Sequence, residues 1–165
     1  MGTGKTKVGE ALAVKLDKEF IELDALIAKK AGKTIPEIFR QDGEITFREL
    51  EIEVAKEISE KRNAVVACGG GIVLNKINID RLKKESLIVY IEASPEVIRK
   101  RTESNVHKRP LLNVKDKRAT IEELLRFRKP FYERAADITI DTSGLDIGAV
   151  VGQIISKVKE HESFN

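Results

Sequence analysis

Cysteine is almost absent from this chain. A single one, Cys68, among 165 residues excludes an internal disulfide and fits a reducing compartment. No apolar run approaches the ~20 residues that a membrane-spanning helix needs. No signal-peptide pattern is present either, so a cytoplasmic chain without membrane partners is expected. Excess charge is missing too. The 30 Lys and Arg against 27 Asp and Glu leave +3, which gives no basis for a nucleic-acid partner. The two histidines, His107 and His161, lie too far apart to suggest a metal site. Repeats, low-complexity stretches and linkers are absent, which leaves one domain over residues 1–165. What is there fits a soluble globular protein with a real core, at 41% hydrophobic and 35% charged residues. The pI near 8.9 suits small anionic ligands.

The stretch with the most specific chemistry is Met1-Gly-Thr-Gly-Lys-Thr-Lys-Val-Gly9. Gly2, Gly4, Lys5 and Thr6 read as the end of a phosphate-binding loop that runs into a helix. Glycines let backbone N–H groups close around a polyphosphate, and the helix points its positive end at the same anion. In the pattern G-x-x-x-x-G-K-[ST], Lys5 reaches the β- and γ-phosphates and the Thr6 hydroxyl ligates Mg²⁺. With Gly4, Lys5 and Thr6 in its last three places, the pattern's first glycine falls before Met1. A glycine-rich tail entering an ordinary helix is the plainer alternative.

Along the chain, Val8, Ala11, Leu12, Val14 and Leu16 predict a helix over 5–16. Phe20 to Asp24 predicts a short strand ending on carboxylates. A short helix over Leu26–Lys30 follows, then one capped by Thr34 with Pro36 in its first turn, ending before Gly43. Phe47 to Lys61 reads as a long helix with Leu50, Val54, Ala55 and Ile58 inward. Ala64–Cys68 and Leu87–Ile91 read as strands buried on both faces, as parallel sheets require. Ser94-Pro95-Glu96 opens a helix, and Thr120-Ile-Glu-Glu123 is a capping box for another reaching about Ala136. Residues 104–118 lack periodicity and read as a mobile basic loop. Ile138–Asp141 is the last strand and Ile147–Val158 the closing helix. Strands alternating with helices give a three-layer α/β fold with a parallel sheet.

In such sheets ligands bind at the carboxyl ends of the strands. The phosphate loop, Glu22 with Asp24, and Gly69-Gly70-Gly71 all fall at that edge. One carboxylate there can hold a Mg²⁺-bound water and another can orient a hydroxyl proton; a solvated strand end explains each alone equally well. Three glycines after a buried strand admit a ligand to bare N–H groups, or simply make a tight turn. Arg48 and Arg128 suit a carboxylate, and Arg109 a transferring phosphoryl group, although any one arginine alone reads as surface decoration. Cys68 reads as a small core residue.

The ordered set resembles shikimate kinase: Gly-Thr-Gly-Lys-Thr, Asp24, Asp42-Gly43-Glu44-x-x-Phe47-Arg48, Gly69-Gly70-Gly71, Arg109-Pro110-Leu111-Leu112, then Arg128-x-Pro130-x-Tyr132 with Ala136-Asp137. It resembles that family more than gluconate or nucleoside monophosphate kinases, which share the phosphate loop. The resemblance implies a P-loop kinase fold with strand order 2-3-1-4-5. It implies transfer of the γ-phosphoryl group of ATP, with Mg²⁺, to the 3-hydroxyl of shikimate by a monomer. Gly2, Thr3, Gly4, Lys5, Thr6 and Lys7 then bind the nucleotide, Arg101 flanks the adenine, and Thr6 with Glu22 serves the metal. Asp24 holds the shikimate hydroxyls and is the candidate base. Arg48 and Arg128 clamp the carboxylate, Gly70 and Gly71 offer N–H groups, and Arg109 is the lid arginine of the loop 104–118. Where the family has Asp-x-Asp, this chain has Glu22-Leu23-Asp24, which keeps the charge and adds a methylene. The resemblance also implies a first strand ahead of Met1, in the middle of the sheet, between Ala64–Cys68 and Leu87–Ile91. A loosely folded or inactive product is expected without it. The alternatives are a related kinase of another hydroxylated acid, or an inactive nucleotide-binding product.

Overall fold

A computed structural model describes residues 2–102 and 117–163. The elements in order are α1 (Lys5–Leu16), β1 (Glu19–Glu22), α2 (Leu23–Ala31), α3 (Ile35–Gln41), α4 (Gly43–Ser59), β2 (Ala64–Ala67), a 3₁₀ turn (Ile72–Leu74), α5 (Lys76–Leu82), β3 (Val89–Glu92), α6 (Pro95–Thr102), α7 (Lys117–Ala135), β4 (Ile138–Asp141) and α8 (Ile147–Ser163). The fold is α/β with parallel strands, as the alternation of elements implies. β1 pairs with β2, Glu19 opposite Ala64 through Glu22 opposite Ala67. β3 pairs with β4, Val89 opposite Ile138 through Glu92 opposite Asp141. Among the described residues β2 and β3 do not pair with each other. Between them lies a cavity of about 910 Å³. No helix among the described residues is long and apolar enough to cross a membrane.

Several boundaries differ from the sequence reading, each for a local reason. β1 stops at Glu22, because fully buried Leu23 already begins α2. Asp24 therefore sits in the first turn of a helix instead of on a strand end. α4 starts at Gly43, where a φ of 85° turns the chain sharply out of α3. α7 starts at Lys117, so Thr120 lies inside it instead of capping it. α5 has no counterpart in the periodicity; Asn75 opens it by accepting from the Ile77 N–H at 3.2 Å. The Thr34 cap does form, with Glu37 accepting the Thr34 N–H at 2.8 Å. So does the Ser94 cap, whose Oγ accepts from Val97 N–H at 3.3 Å.

The core divides along the sheet. One cluster gathers Ile21, Leu23, Ile27, Ile38, Phe47, Val54, Ala55 and Ile58 beneath β1 and β2. The other joins α1 and α8 to β3 and β4 through Val8, Leu12, Ile91, Ile138, Ile140, Val150 and Ile154. Val14 is an exception to the expected stripe on α1: it is 84% exposed. It follows Val8 by six residues, about 240° round the helix, and so faces away from the sheet.

Ile140 is 1% exposed and Ile45 is 78% exposed. Ile140→Ala is expected to lower the urea unfolding free energy by about 2–5 kcal/mol. Ile45→Ala is expected to change it by less than about 0.5 kcal/mol. Equal effects would mean the core is placed wrongly.

Candidate active site

The phosphate loop turns on two left-handed glycines, Gly2 at φ 69° and Gly4 at φ 92°. A side chain is strained in that region. Gly4 is the residue from which α1 starts, and its carbonyl accepts the Val8 N–H at 3.0 Å. The first-turn N–H groups of α1 therefore have no partner within the helix and face the loop. Thr3 is buried, and its carbonyl accepts from Arg101 Nη1 at 3.0 Å. The same guanidinium donates to Thr142 Oγ1 and to the Thr142 carbonyl, both at 3.1 Å. Arg101 thus ties the loop to the end of β4. Lys7 is exposed on α1.

Thr6 and Glu22 meet. The Thr6 hydroxyl donates to Glu22 Oε1 at 2.8 Å. A hydroxyl and a carboxylate side by side form an all-oxygen donor pair, which suits Mg²⁺. Among the described residues no group of three or more His, Cys, Asp or Glu could hold a metal by itself. A cation at this pair would complete its shell with waters and phosphate oxygens, the usual habit of Mg²⁺. The longer glutamate side chain at 22 reaches Thr6 without difficulty.

Asp24 lies at the same rim, and its Oδ1 is buried without a hydrogen-bond partner. Burial raises its pKa above the ordinary aspartate value; Lys5 pulls it down, neighbouring Glu22 pushes it up, and Arg48 pulls it down. A Cβ on Gly69 would fall 2.7 Å from that Oδ1. Glycine at 69 is thus what leaves room for the carboxylate. Cys68, just before it, has its thiol pushed up to about 12 by burial, so it stays protonated and is no nucleophile.

Arg48 is held in place by its own helix. Nη1 donates to Glu51 Oε2 and Nη2 to Glu44 Oε1, both at 3.0 Å, and the guanidinium lies 5.1 Å from the Phe47 ring centre. A Cβ on Gly71 would come within 2.5 Å of Arg48 Nη1, so the glycine backbone and the guanidinium pack directly together. Glu51 is 1% exposed, with its Oε1 unpartnered. Burial raises its pKa against the pull of Arg48 and Arg128, so both arginines converge on one region. Arg128, on α7, is 7% exposed with its Nε unpartnered. One turn later Tyr132 donates to the Gly70 carbonyl at 2.6 Å and stacks on Tyr90, with ring centres 4.8 Å apart.

The structure therefore brings together Lys5, Thr6, Glu22, Asp24, Arg48, Gly70, Gly71 and Arg128, which the sequence separates by more than a hundred positions. Arg109 and the loop 104–118 as far as residue 116 lie outside the described residues. Glu51, Tyr132 and Thr142 were not picked out as site residues. Glu51 reads as one acid on a charge-rich helix, and nothing local marks it as buried. Tyr132 was visible only as part of a motif.

The sequence profile of shikimate kinases matches residues 1–159. The chain belongs to the shikimate kinase family. It is 45% identical over 165 residues to a shikimate kinase of Thermodesulfovibrio yellowstonii, covering 100% of this chain and 92% of that one. It is 46% identical over 155 residues to a shikimate kinase of Caldanaerobacter subterraneus, covering 94% and 90%. The shikimate kinase of Acinetobacter baumannii, solved in complex with shikimate, superposes with a TM-score of 0.93 at 35% identity, covering 98% of this chain and 89% of that one.

Asp24 gives a pH-dependent prediction within this shikimate kinase fold. Its folded pKa is raised. The stability it contributes is therefore full below the unfolded value and is lost as pH rises through the folded value. Asp24→Asn, with no charge to bury, is expected to resist urea better than the parent at pH 7. The difference should vanish at about pH 3, where both are neutral. A variant less stable than the parent at pH 7 would contradict a carboxylate whose charged form is disfavoured by burial.

Proposed function

We propose that this chain transfers the γ-phosphoryl group of ATP to the 3-hydroxyl of shikimate, giving shikimate 3-phosphate on the route to aromatic amino acids. The observation that carries the reading is the convergence of Arg48 and Arg128 beside Asp24, at the rim where the phosphate loop opens. Phosphoryl transfer needs positioning and charge neutralisation more than covalent help. Arg48 and Arg128 fix the single carboxylate of the ring as planar, bidentate donors. The Gly70 and Gly71 backbone supports the same end, steadied by the Tyr132 hydroxyl. Asp24 receives the ring hydroxyls; its partnerless Oδ1 is supplied with a donor only when substrate enters. There it orients the 3-hydroxyl and takes its proton as the bond to phosphorus forms.

Gly2, Thr3, Gly4, Lys5 and Thr6 cradle the polyphosphate. Thr6 and Glu22 would hold Mg²⁺, which would neutralise charge on the β- and γ-phosphates. Arg109, outside the described residues, would supply charge to the γ-phosphate, as the resemblance implies, and Arg101, braced on Thr3 and Thr142, would flank the adenine. We further infer that the loop works with an apolar strand running into Gly2; the separation of β2 from β3 supports this.

The test is ADP release with Mg²⁺-ATP across a panel of hydroxylated acids. Shikimate is expected to be turned over best. Turnover of another acid with none of shikimate would replace this reading by a related kinase. Arg48→Ala and Arg128→Ala are each expected to weaken shikimate binding by about 2–5 kcal/mol in titration calorimetry, with ATP affinity little changed. Arg109→Ala is expected to lower turnover far more than shikimate affinity, because its charge is needed in the transition state. Shikimate binding unchanged in both clamp variants would remove the clamp.

A further inference from the structure

Tyr132 touches both sides of the pocket that Arg48 and Arg128 make. It follows Arg128 by four residues on α7, so the two side chains share one face of the helix. Burial raises the pKa of its hydroxyl, and Arg128 pulls it down, by its charge and by a hydrogen bond to the oxygen. The proton goes elsewhere: the hydroxyl donates to the Gly70 carbonyl at 2.6 Å. A phenol has one proton to give and lone pairs to receive with. With the proton committed to Gly70, the oxygen is left as the acceptor for Arg128. The ring has little freedom of its own. It stacks on Tyr90 of β3, with centres 4.8 Å apart and planes 13° from parallel. Pro130, midway between Arg128 and Tyr132, cannot donate to the Arg126 carbonyl. This turn of α7 is therefore held less by its own helix and more by what its side chains touch.

The Gly70 carbonyl matters because of what shares its peptide. Its C=O and the Gly71 N–H belong to one planar unit and point opposite ways. Fixing the carbonyl fixes the direction of that N–H. Gly71 is also where Arg48 packs, since a Cβ there would come within 2.5 Å of Nη1. One hydroxyl thus governs two donors that would otherwise turn independently, Arg128 and the Gly71 N–H, beside a third, Arg48. Such an array suits a planar acceptor with two equivalent oxygens. A carboxamide, with one oxygen and a donor in place of the other, uses it poorly.

We propose that Tyr132 is a positioning residue that sets the pocket's preference for a carboxylate, by holding Arg128 and the Gly70–Gly71 peptide in one register. The proposal rests on the reading of Arg48 and Arg128 as the carboxylate clamp. It goes beyond that reading in placing part of the clamp's selectivity on a side chain that need not touch the substrate.

The experiment compares binding of shikimate and of its primary carboxamide to the parent, Tyr132→Phe, Arg128→Ala and the double variant, by titration calorimetry on the whole chain. The ratio of the two affinities does not depend on how much of the sample is folded. Tyr132→Phe is expected to lower the preference for the carboxylate about tenfold, the loss of one hydrogen bond to a charged group. In the Arg128→Ala background the same change is expected to lower it by less than about twofold, because the two side chains act as one. Maximal turnover with Mg²⁺-ATP is expected to fall much less than shikimate affinity, since the carboxylate is held alike before and during transfer. A merely structural role would weaken both ligands alike. That result, or full additivity of the two changes, would overturn the proposal. Should Tyr132→Phe not fold, 2,3,5-trifluorotyrosine at 132 keeps the shape and makes the hydroxyl more acidic. Its preference for shikimate is expected to fall at a lower pH than the parent's, and identical pH profiles would overturn the proposal. Shikimate binding without transfer from ATP by the parent overturns the proposed function and leaves the binding comparison to decide the role of Tyr132. Binding of neither ligand by the parent overturns the clamp and this proposal with it.

Discussion

Asp24 carries a carboxylate into the rim with one oxygen, Oδ1, buried and without a hydrogen-bond donor, and the surrounding charges are arranged to tolerate this. An unpaired ionised group in a low-dielectric setting shifts its pKa or acquires partners. Here burial is the largest influence and raises the pKa; Lys5 lowers it, Glu22 raises it, Arg48 lowers it, and the net direction is up. Gly69 is the steric counterpart, since any Cβ there would strike the carboxylate. The result is an acceptor held open for a hydroxyl. Such sites trade stability for function.

The second layer of the arrangement consists of braces that join distant elements to the rim. Arg101 connects the loop carbonyl of Thr3 with Thr142 at the end of β4. Thr142 in turn donates to the Glu92 carbonyl at 2.8 Å, so the end of β3 is included. Tyr132 ties α7 to Gly70, sixty-two positions away. Glu51 immobilises Arg48 from beneath and faces Arg128 as well. Buried charged hydrogen bonds of this kind are strong only when the whole set is in place. Of the five buried unpartnered side-chain atoms among the described residues, two are on Asn78; the other three, Glu51 Oε1, Arg128 Nε and Asp24 Oδ1, gather around the Glu51 carboxylate. That is where a ligand rich in hydroxyl and carboxylate oxygens would satisfy them.

Much of this was legible in the residues. Gly4-Lys5-Thr6 and the run Gly69–Gly71 have physical meanings that hardly depend on context, and strands 64–67 and 89–92 lie within two residues of their expected bounds, although most of their residues are half-buried and not buried on both faces. The order of motifs carried the family. The parts that were not legible depend on tertiary burial. Glu51 looks like one more acid on α4 until the fold closes over it. α5 has too few apolar residues for its period to show, and depends on the Asn75 cap and on packing against α4. Asp24 moved from strand to helix because Leu23, at zero exposure, decided where β1 stops. Val14 is apolar like its neighbours on α1, but the helical angle carries it to the solvent side. That β2 and β3 do not pair, among the described residues, is a feature no local pattern of residues marks.

The central claim is that the rim holds a carboxylate with one buried, unpartnered oxygen, Asp24 Oδ1, awaiting a hydroxyl donor. Titrating the Asp24 carboxyl carbon by ¹³C NMR tests it most directly. The account predicts a midpoint above that of ordinary exposed aspartates in the free chain, and a lower one once shikimate donates hydrogen bonds to the charged form. A midpoint at or below the ordinary value of 3.8 without ligand, unmoved by shikimate, would contradict it.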